Sequence, residues 1–150
     1  MKILIIDNEI KIRELLKSLI VTISKDAHII EEANGVTSGL QKINSFNPDI
    51  VFLDVEMDDG TGFDLVQKLG NYNFQLVFIT AHNKYAVNAF KFSAIDFLLK
   101  PIDPMDLVLS VNKALSQKKN RDLEQQVKLL EESLQNINSL KIQDRKIALN

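Results

Sequence analysis

An open, doubly wound α/β fold, a five-stranded parallel sheet covered by helices on both faces, is what this 150-residue sequence predicts. Three observations carry that expectation. Strand-like and helix-like runs alternate five times, the strand runs are apolar throughout rather than on one face, and proline or glycine marks the joints.

The first pair is "ILII", Ile3 to Ile6, followed by "IKIRELLKSLI", where Ile12, Leu15, Leu16, Leu19 and Ile20 form one helical stripe. "HIIEEA" and "GVTSGLQKINSF" follow, with His28 at an exposed strand start and Asn47-Pro48 closing the helix, because the residue before proline is pushed out of helical geometry. "DIVFLDV" precedes "TGFDLVQKLG", whose Gly70 stands where a helix C-cap is expected. "QLVFIT" leads into "NKYAVNAFKF", where helical spacing alone turns Ala86, Ala89 and Phe90 toward a sheet. "AIDFLL" passes through Pro101 to Pro104 into "DPMDLVLSVNKAL". Parallel strands require crossover connections, so these pairs build one sheet over residues 1–118.

Neither glycine nor proline occurs after Pro104, which predicts one extended C-terminal helix from residue 105 to about 140. At 1.5 Å per residue it spans roughly 50 Å, too long to stay packed on so small a sheet, so its end should project. Leu123, Val127, Leu130, Leu134 and Ile137 recur at spacings of four and three, with Gln125, Gln126, Glu131 and Glu132 beside them. That seam predicts a linker helix over 119–140 that pairs as a short coiled coil; a solvated tail is the alternative. The last stretch, "SLKIQDRKIALN", becomes β-like at "KIAL".

Composition excludes several classes. A formal net charge of -2 with 25% charged residues gives no general attraction to nucleic acid. The absence of cysteine rules out disulfides and thiolate metal sites. An acid at Asp7 interrupts any signal-peptide core, and no apolar run approaches the 18 or so residues of a membrane span, so a soluble cytoplasmic protein is expected. No GxxxxGK[ST] or GxGxxG motif is present for nucleotide binding.

The segment "VFLDVEMDDG", residues 51–60, aims Asp54, Glu56, Asp58 and Asp59 at one place. Like charges roughly 5 Å apart cost on the order of 3 kcal/mol per pair at an effective dielectric of about 20, so something must offset them. In open α/β sheets ligands bind beyond the carboxyl ends of the strands, where Asp7 and Asp54 end the first and third runs. A hard cation with oxygen ligands answers the repulsion, and Mg²⁺ takes one or two carboxylates alongside water and phosphate oxygens. Thr80 ends the fourth strand and Lys100 follows the fifth, which adds a hydroxyl and an ammonium suited to a phosphoryl group. Asp58 and Asp59 before Gly60 read as turn formers.

"IIDNE", "FLDVEM", Thr80-Ala81 and Lys100-Pro101, in that order and spacing, resemble the receiver domain of two-component response regulators over about 118 residues. The resemblance implies a flavodoxin-like (βα)5 fold and a phosphoryl group accepted by Asp54 from a sensor histidine kinase. It further implies Mg²⁺ held by Asp7, position 8, Asp54 and the backbone carbonyl of Glu56, with Lys100 pairing with the phosphoryl oxygens. Thr80 and Phe97 would then move together as the switch, and Glu56 and His82 would set phosphoryl lifetime, with slow self-dephosphorylation as the only catalysis. Two residues depart from the family pattern. Asn8 stands where a second acid is usual, which predicts weaker Mg²⁺ binding, and Asp58 stands where proline is common.

"HNKYAVNAFKFSAIDFLLKPID", residues 82–103, resembles the receivers of the LytTR class, which places Tyr85, Phe90 and Phe92 on or near a face used for dimerisation upon phosphorylation. Residues 141–150 resemble the opening of a LytTR DNA-binding domain that breaks off before completion, so DNA contact would need that missing domain. Two other function classes stand beside this reading. One is a receiver-like interaction module that signals without phosphate, motivated by Asn8 and Asp58. The other is a haloacid dehalogenase-like phosphatase, suggested by "DVE" at Asp54 but lacking the first-strand position and the following threonine.

Overall fold

The structure, a computed structural model, describes residues 1–23 and 28–148, with side chains as far as residue 140. In chain order the elements are β1 (Lys2–Ile6), α1 (Ile10–Ile23), β2 (Ile29–Ala33), α2 (Val36–Phe46), β3 (Ile50–Asp54), β4 (Glu56–Met57) and β5 (Gly60–Thr61). They continue with α3 (Gly62–Leu69), β6 (Gln75–Thr80), a 3-10 turn (Asn83–Tyr85), α4 (Ala86–Lys91), β7 (Asp96–Leu99) and α5 (Pro104–Ala148). Five of the strands form a parallel sheet in the order β2-β1-β3-β6-β7, and the strand order reverses on either side of β1. This is the doubly wound sheet that the sequence predicts.

Alternation along each strand divides the core in two. Leu4, Ile6, Val51, Leu53, Leu76 and Phe78 turn to one face, where α2, α3 and Ala89 of α4 cover them. Ile3, Ile5, Ile50, Phe52, Val77 and Ile79 turn to the other, under Leu16 and Ile20 of α1 and Leu107, Val111 and Ala114 of α5. Each fully buried side chain of this size contributes roughly 1.5–3 kcal/mol relative to exposure. Two faces, both covered, are why the strand runs are apolar at every position.

Local signals set the joints. Asn47 caps α2 in the left-handed region at φ 50°, and Gly70 ends α3 at φ 69° with its N–H on the Val66 carbonyl. Thr61 and Asp64 form a capping box at the start of α3, each side chain accepting the other's backbone N–H, which holds Asp64 below the usual carboxylate range. The Lys100–Pro101 peptide bond is cis.

Several expectations change. The fourth helix opens as a 3-10 turn, and the short α4 anchors through Ala89 alone, so Phe90, one position and about 100° round the helix, is 73% exposed rather than facing the sheet. Leu15 is likewise turned outward beside buried Leu16. His28 is half-buried ahead of β2 rather than exposed. The antiparallel pair β4–β5 is new; at two residues per strand it is too short for any periodic signal. The β-like reading of "KIAL" fails for residues 146–148, where α5 continues to Ala148; a helix extends through its own backbone bonds, whereas a strand needs a partner. Leu149 and Asn150 lie outside the described residues, as do the side chains of 141–150.

Contacts divide the chain into Met1–Leu115 and Ser116–Asn150. In the second unit Leu123, Val127, Leu130, Leu134 and Ile137 are all exposed along the helix.

Gly62 couples this framework to the sheet's end: a Cβ there would lie 2.5 Å from the backbone oxygen of Asp54 and 3.0 Å from the Leu53 side chain. Gly62→Ala should therefore lower the urea midpoint by the equivalent of about 1–3 kcal/mol, the cost of overpacking. Gln67→Ala, on the exposed side of α3, should change it by less than about 0.5 kcal/mol.

Candidate functional site

Four strand ends deliver the site. Asp7 follows β1 and its backbone N–H reaches the Ala33 carbonyl of β2 at 3.1 Å; Lys100 follows β7 and its N–H reaches the Thr80 carbonyl at 2.8 Å. Asp54 is the last residue of β3 and Thr80 the last of β6. All lie at the carboxyl edge, beside the switch point between β1 and β3.

Their side chains are out of solvent: Asp7 is 0% exposed, Thr80 1% and Asp54 2%. Lys100 Nζ lies 2.9 Å from Asp7 Oδ2, 3.4 Å from Asp54 Oδ2 and 3.4 Å from Glu9 Oε1. Burial alone would lower the Lys100 pKa, but the hydrogen bond and charge of Asp7, with the charges of Asp54 and Glu9, outweigh it and raise the pKa. Asp54 goes the other way from an ordinary carboxylate. Burial first, then the charge of Asp7, push it up to about 7, although Lys100 and the Glu56 backbone N–H favour the charged form.

An open cleft of about 310 Å³ leads to this group, lined by Asn8, Glu9, Asp54, Glu56, Met57, Asp58, Thr80, Ala81 and Lys100. Larger grooves of about 470 and 490 Å³ lie elsewhere. The first is edged by Arg13, Glu32 and Lys42, whose charges are neutralised in the pairs Arg13–Glu32 and Lys42–Glu31, so the acidic cleft is the stronger candidate despite its size.

The fit to a cation rests on oxygen atoms. Asn8 Oδ1 is buried and has no hydrogen-bond partner, and Asp7 Oδ2 makes only its ion pair with Lys100. An acceptor left unsatisfied costs about 1–3 kcal/mol, which a ligated cation removes. Among the described residues no group of three or more histidine, cysteine or carboxylate side chains is placed to hold a metal ion by itself. The donors on hand, two carboxylates and an amide oxygen with room for water, suit Mg²⁺ rather than a metal that demands a full protein cage.

The structure also places the remaining candidates. Phe97 is partly buried in the core face formed by Phe78 and Phe63, in register with Phe78. The His82 backbone N–H donates to Thr80 Oγ1 at 3.2 Å, and its ring nitrogen Nε2 lies 3.7 Å from Glu56 Oε2. Tyr85 and Phe92 pack inward around Phe63, unlike Phe90. Asp58 and Asp59 do occupy the β4–β5 turn, and each also makes a contact that the sequence conceals. Asp59 accepts the N–H groups of Val36 and Thr37 at 2.7 and 3.0 Å, capping α2 from a distance and holding its own pKa down, while Asp58 accepts from the Asn8 amide. Two contacts at the site escape sequence reasoning. Glu9 pairs with Lys100, and the Tyr85 hydroxyl donates to Glu56 Oε1 at 2.7 Å; neither spacing repeats or forms a motif.

Asp54 links the site to stability. Its folded pKa of about 7 exceeds the unfolded value of 3.8, so the folded chain holds the proton more tightly and stability falls as pH rises through that window. Asp54→Asn should stabilise the metal-free chain at about pH 8 by about 1–2 kcal/mol, a figure reduced because solvent in the cleft screens the charges. The gain should fade as pH drops through the unfolded value of 3.8 and be nearly gone by about pH 2.5, where Asp54 is protonated in both states. Urea unfolding at the two pH values measures this; a destabilised variant at the higher pH contradicts it.

Comparison with known proteins gives the family. The family model for the response regulator receiver domain matches residues 3–112. An uncharacterised response regulatory protein of Vibrio cholerae is 39% identical over 120 residues, 79% of this chain and 50% of that protein. The sensory transduction protein LytT of Bacillus anthracis is 35% identical over 131 residues, 85% of this chain and 53% of LytT. The chain thus spans about half the length of these curated relatives. Among solved structures, the receiver domain of a LuxO-type repressor from Vibrio parahaemolyticus superposes with a TM-score of 0.73 at 25% identity, covering 81% of this chain and 95% of that one. The response regulatory domain of mrkE from Klebsiella pneumoniae gives a TM-score of 0.71 at 26% identity over 80% and 99% of the two chains. With strand ends, cleft and family model in agreement, the chain belongs to the response regulator receiver domain family and carries a receiver of the two-component type, with relatives of the LytT/LytR kind.

Proposed function

We propose that this receiver accepts a phosphoryl group on Asp54 from a sensor histidine kinase in a Mg²⁺-dependent step, and that the acyl phosphate switches a dimerisation face that controls transcription. The observation that carries the reading is the position of Lys100 Nζ, within 2.9 Å of Asp7 and 3.4 Å of Asp54 at the floor of an open cleft. One Asp54 carboxylate oxygen bonds to phosphorus as the bond from phosphorus to the kinase imidazole nitrogen breaks. Asp7, Asn8, Asp54 and the Glu56 backbone carbonyl are the residues that would hold Mg²⁺, which supplies charge neutralisation for the incoming phosphoryl oxygens.

Lys100 would exchange its contact with Asp54 for a phosphoryl oxygen and keep Asp7. Thr80, whose hydroxyl now accepts the His82 N–H, would donate to another, since the phosphoryl group adds about -1.5 to -2 charge and several acceptors. Phe97 lies on the strand next to the one that ends in Thr80, in register with Phe78 two residues before it, and would move inward in step with Thr80, biasing a two-state surface. Glu56 and His82 at the mouth would govern how water reaches the acyl phosphate and hence its lifetime.

The remaining assignments rest on sequence and family. Residues 1–118 are the receiver, and 119–140 a linker helix whose exposed Leu123, Val127, Leu130, Leu134 and Ile137 pair in a homodimer. DNA contact belongs to a further C-terminal domain entered at about residues 141–150, not to the receiver, whose chain carries a net charge of -2. No described helix is long and apolar enough to cross a membrane, and a cytoplasmic location follows the family's usual setting.

Incubation with acetyl phosphate and Mg²⁺, read by intact mass, should show one added phosphoryl group that is lost in Asp54→Asn. No adduct on the native chain would favour a phosphate-independent interaction module, the reading that Asn8 and Asp58 motivate. For the tail, sedimentation of the full chain should give a larger mass than a monomer, and the chain cut at Lys118 a monomer; identical monomer masses would remove the pairing.

A further inference from the structure

The two residues that depart from the family pattern touch each other. Asn8 Nδ2 donates to Asp58 Oδ1 at 3.3 Å across the mouth of the acidic cleft. The contact decides which way the Asn8 amide faces. With the group reversed, Asn8 Oδ1 would lie against a carboxylate oxygen with no proton between them, so the donor end is committed to Asp58. The acceptor end is thereby turned away from Asp58, and Asn8 Oδ1 is left buried without a hydrogen-bond partner.

Asp58 is in turn held in place by its neighbours. It occupies the turn between β4 and β5, where Met57 pairs with Gly60. The next residue, Asp59, is tied to the start of α2 through the Val36 and Thr37 N–H groups. The turn is thereby fixed from the α2 side, which leaves the Asp58 carboxylate at the cleft wall shared by Asn8, Asp54 and Glu56.

We infer that Asp58 is a positioning residue for the cation: it orients the Asn8 amide so that Oδ1 is available to Mg²⁺, and it supplies beside position 8 the negative charge that position 8 lacks. The inference rests on the proposed Mg²⁺ site and deepens it. Carboxylates that act on a metal through another ligand change its affinity by about 10–100-fold when removed.

Calorimetric titration of the full chain with Mg²⁺ alone tests this. Asp58→Ala, which removes both acceptor and charge, should weaken binding about tenfold or more, and Asp58→Asn, which keeps an acceptor, should weaken it less. Asn8→Asp should tighten binding in the native background, and with that aspartate present Asp58→Ala should cost under about threefold, because the charge no longer has to come from position 58. Since Asp58 is exposed in a turn, urea midpoints without Mg²⁺ should stay within about 0.5 kcal/mol of the native chain. Equal Mg²⁺ affinity in the native chain and Asp58→Ala overturns the inference while leaving the Mg²⁺ site intact, as does the same loss in both backgrounds. A native chain that binds no Mg²⁺ overturns both.

Discussion

The ion pairs of Lys100 with Asp7 and Asp54 are the constraint on which the carboxyl end of the sheet depends. Two buried carboxylates that share a cleft repel each other, and one ammonium between them relieves that repulsion. At these distances each contact is worth on the order of 5 kcal/mol at an effective dielectric of about 20, before the cost of taking the charges out of water. The Asp54 pKa nonetheless stays raised, through burial first and the charge of Asp7 second. An Asp54 that is buried, open to a cleft and poorly satisfied is destabilised in its charged form in the resting fold.

The sheet makes that state tolerable. Fully buried residues on β1, β3 and β6 fix the strand ends from both faces, and backbone bonds from Asp7 to Ala33, Val55 to Ile79 and Lys100 to Thr80 carry the pairing past the strands into the site. The rim is different. Glu56 grips Tyr85 and approaches His82 from a short two-residue strand, and Tyr85 belongs to a 3-10 turn rather than to a full helix. The floor is thus held by strand packing and backbone bonds, and the rim by side-chain contacts.

The cleft mouth shows how charge is distributed around a site without changing the fold. Position 8 is neutral, and the acid at position 58 stands 3.3 Å from it. The short β4–β5 turn is held by Asp59 on α2 and by the Gly62 N–H on the Val55 carbonyl, not by the side chain at 58.

Periodicity alone determined the five strand–helix pairs, their parallel arrangement and the edge at which Asp7, Asp54, Thr80 and Lys100 meet, because burial on two faces and crossover connections leave a regular imprint on local sequence. The long α5 was legible for the same reason, from a run free of glycine and proline. Tertiary structure decided what depends on residues far apart in the chain: Asp58 against Asn8 and Asp59 on α2, the Glu9 and Tyr85 contacts, and the outward turn of Phe90 beside Tyr85 and Phe92. Such contacts arise from the three-dimensional approach of single side chains, which leaves no period to read. The strength of the Asp54 perturbation belongs with them, since it comes from desolvation and from a neighbouring charge supplied by another strand.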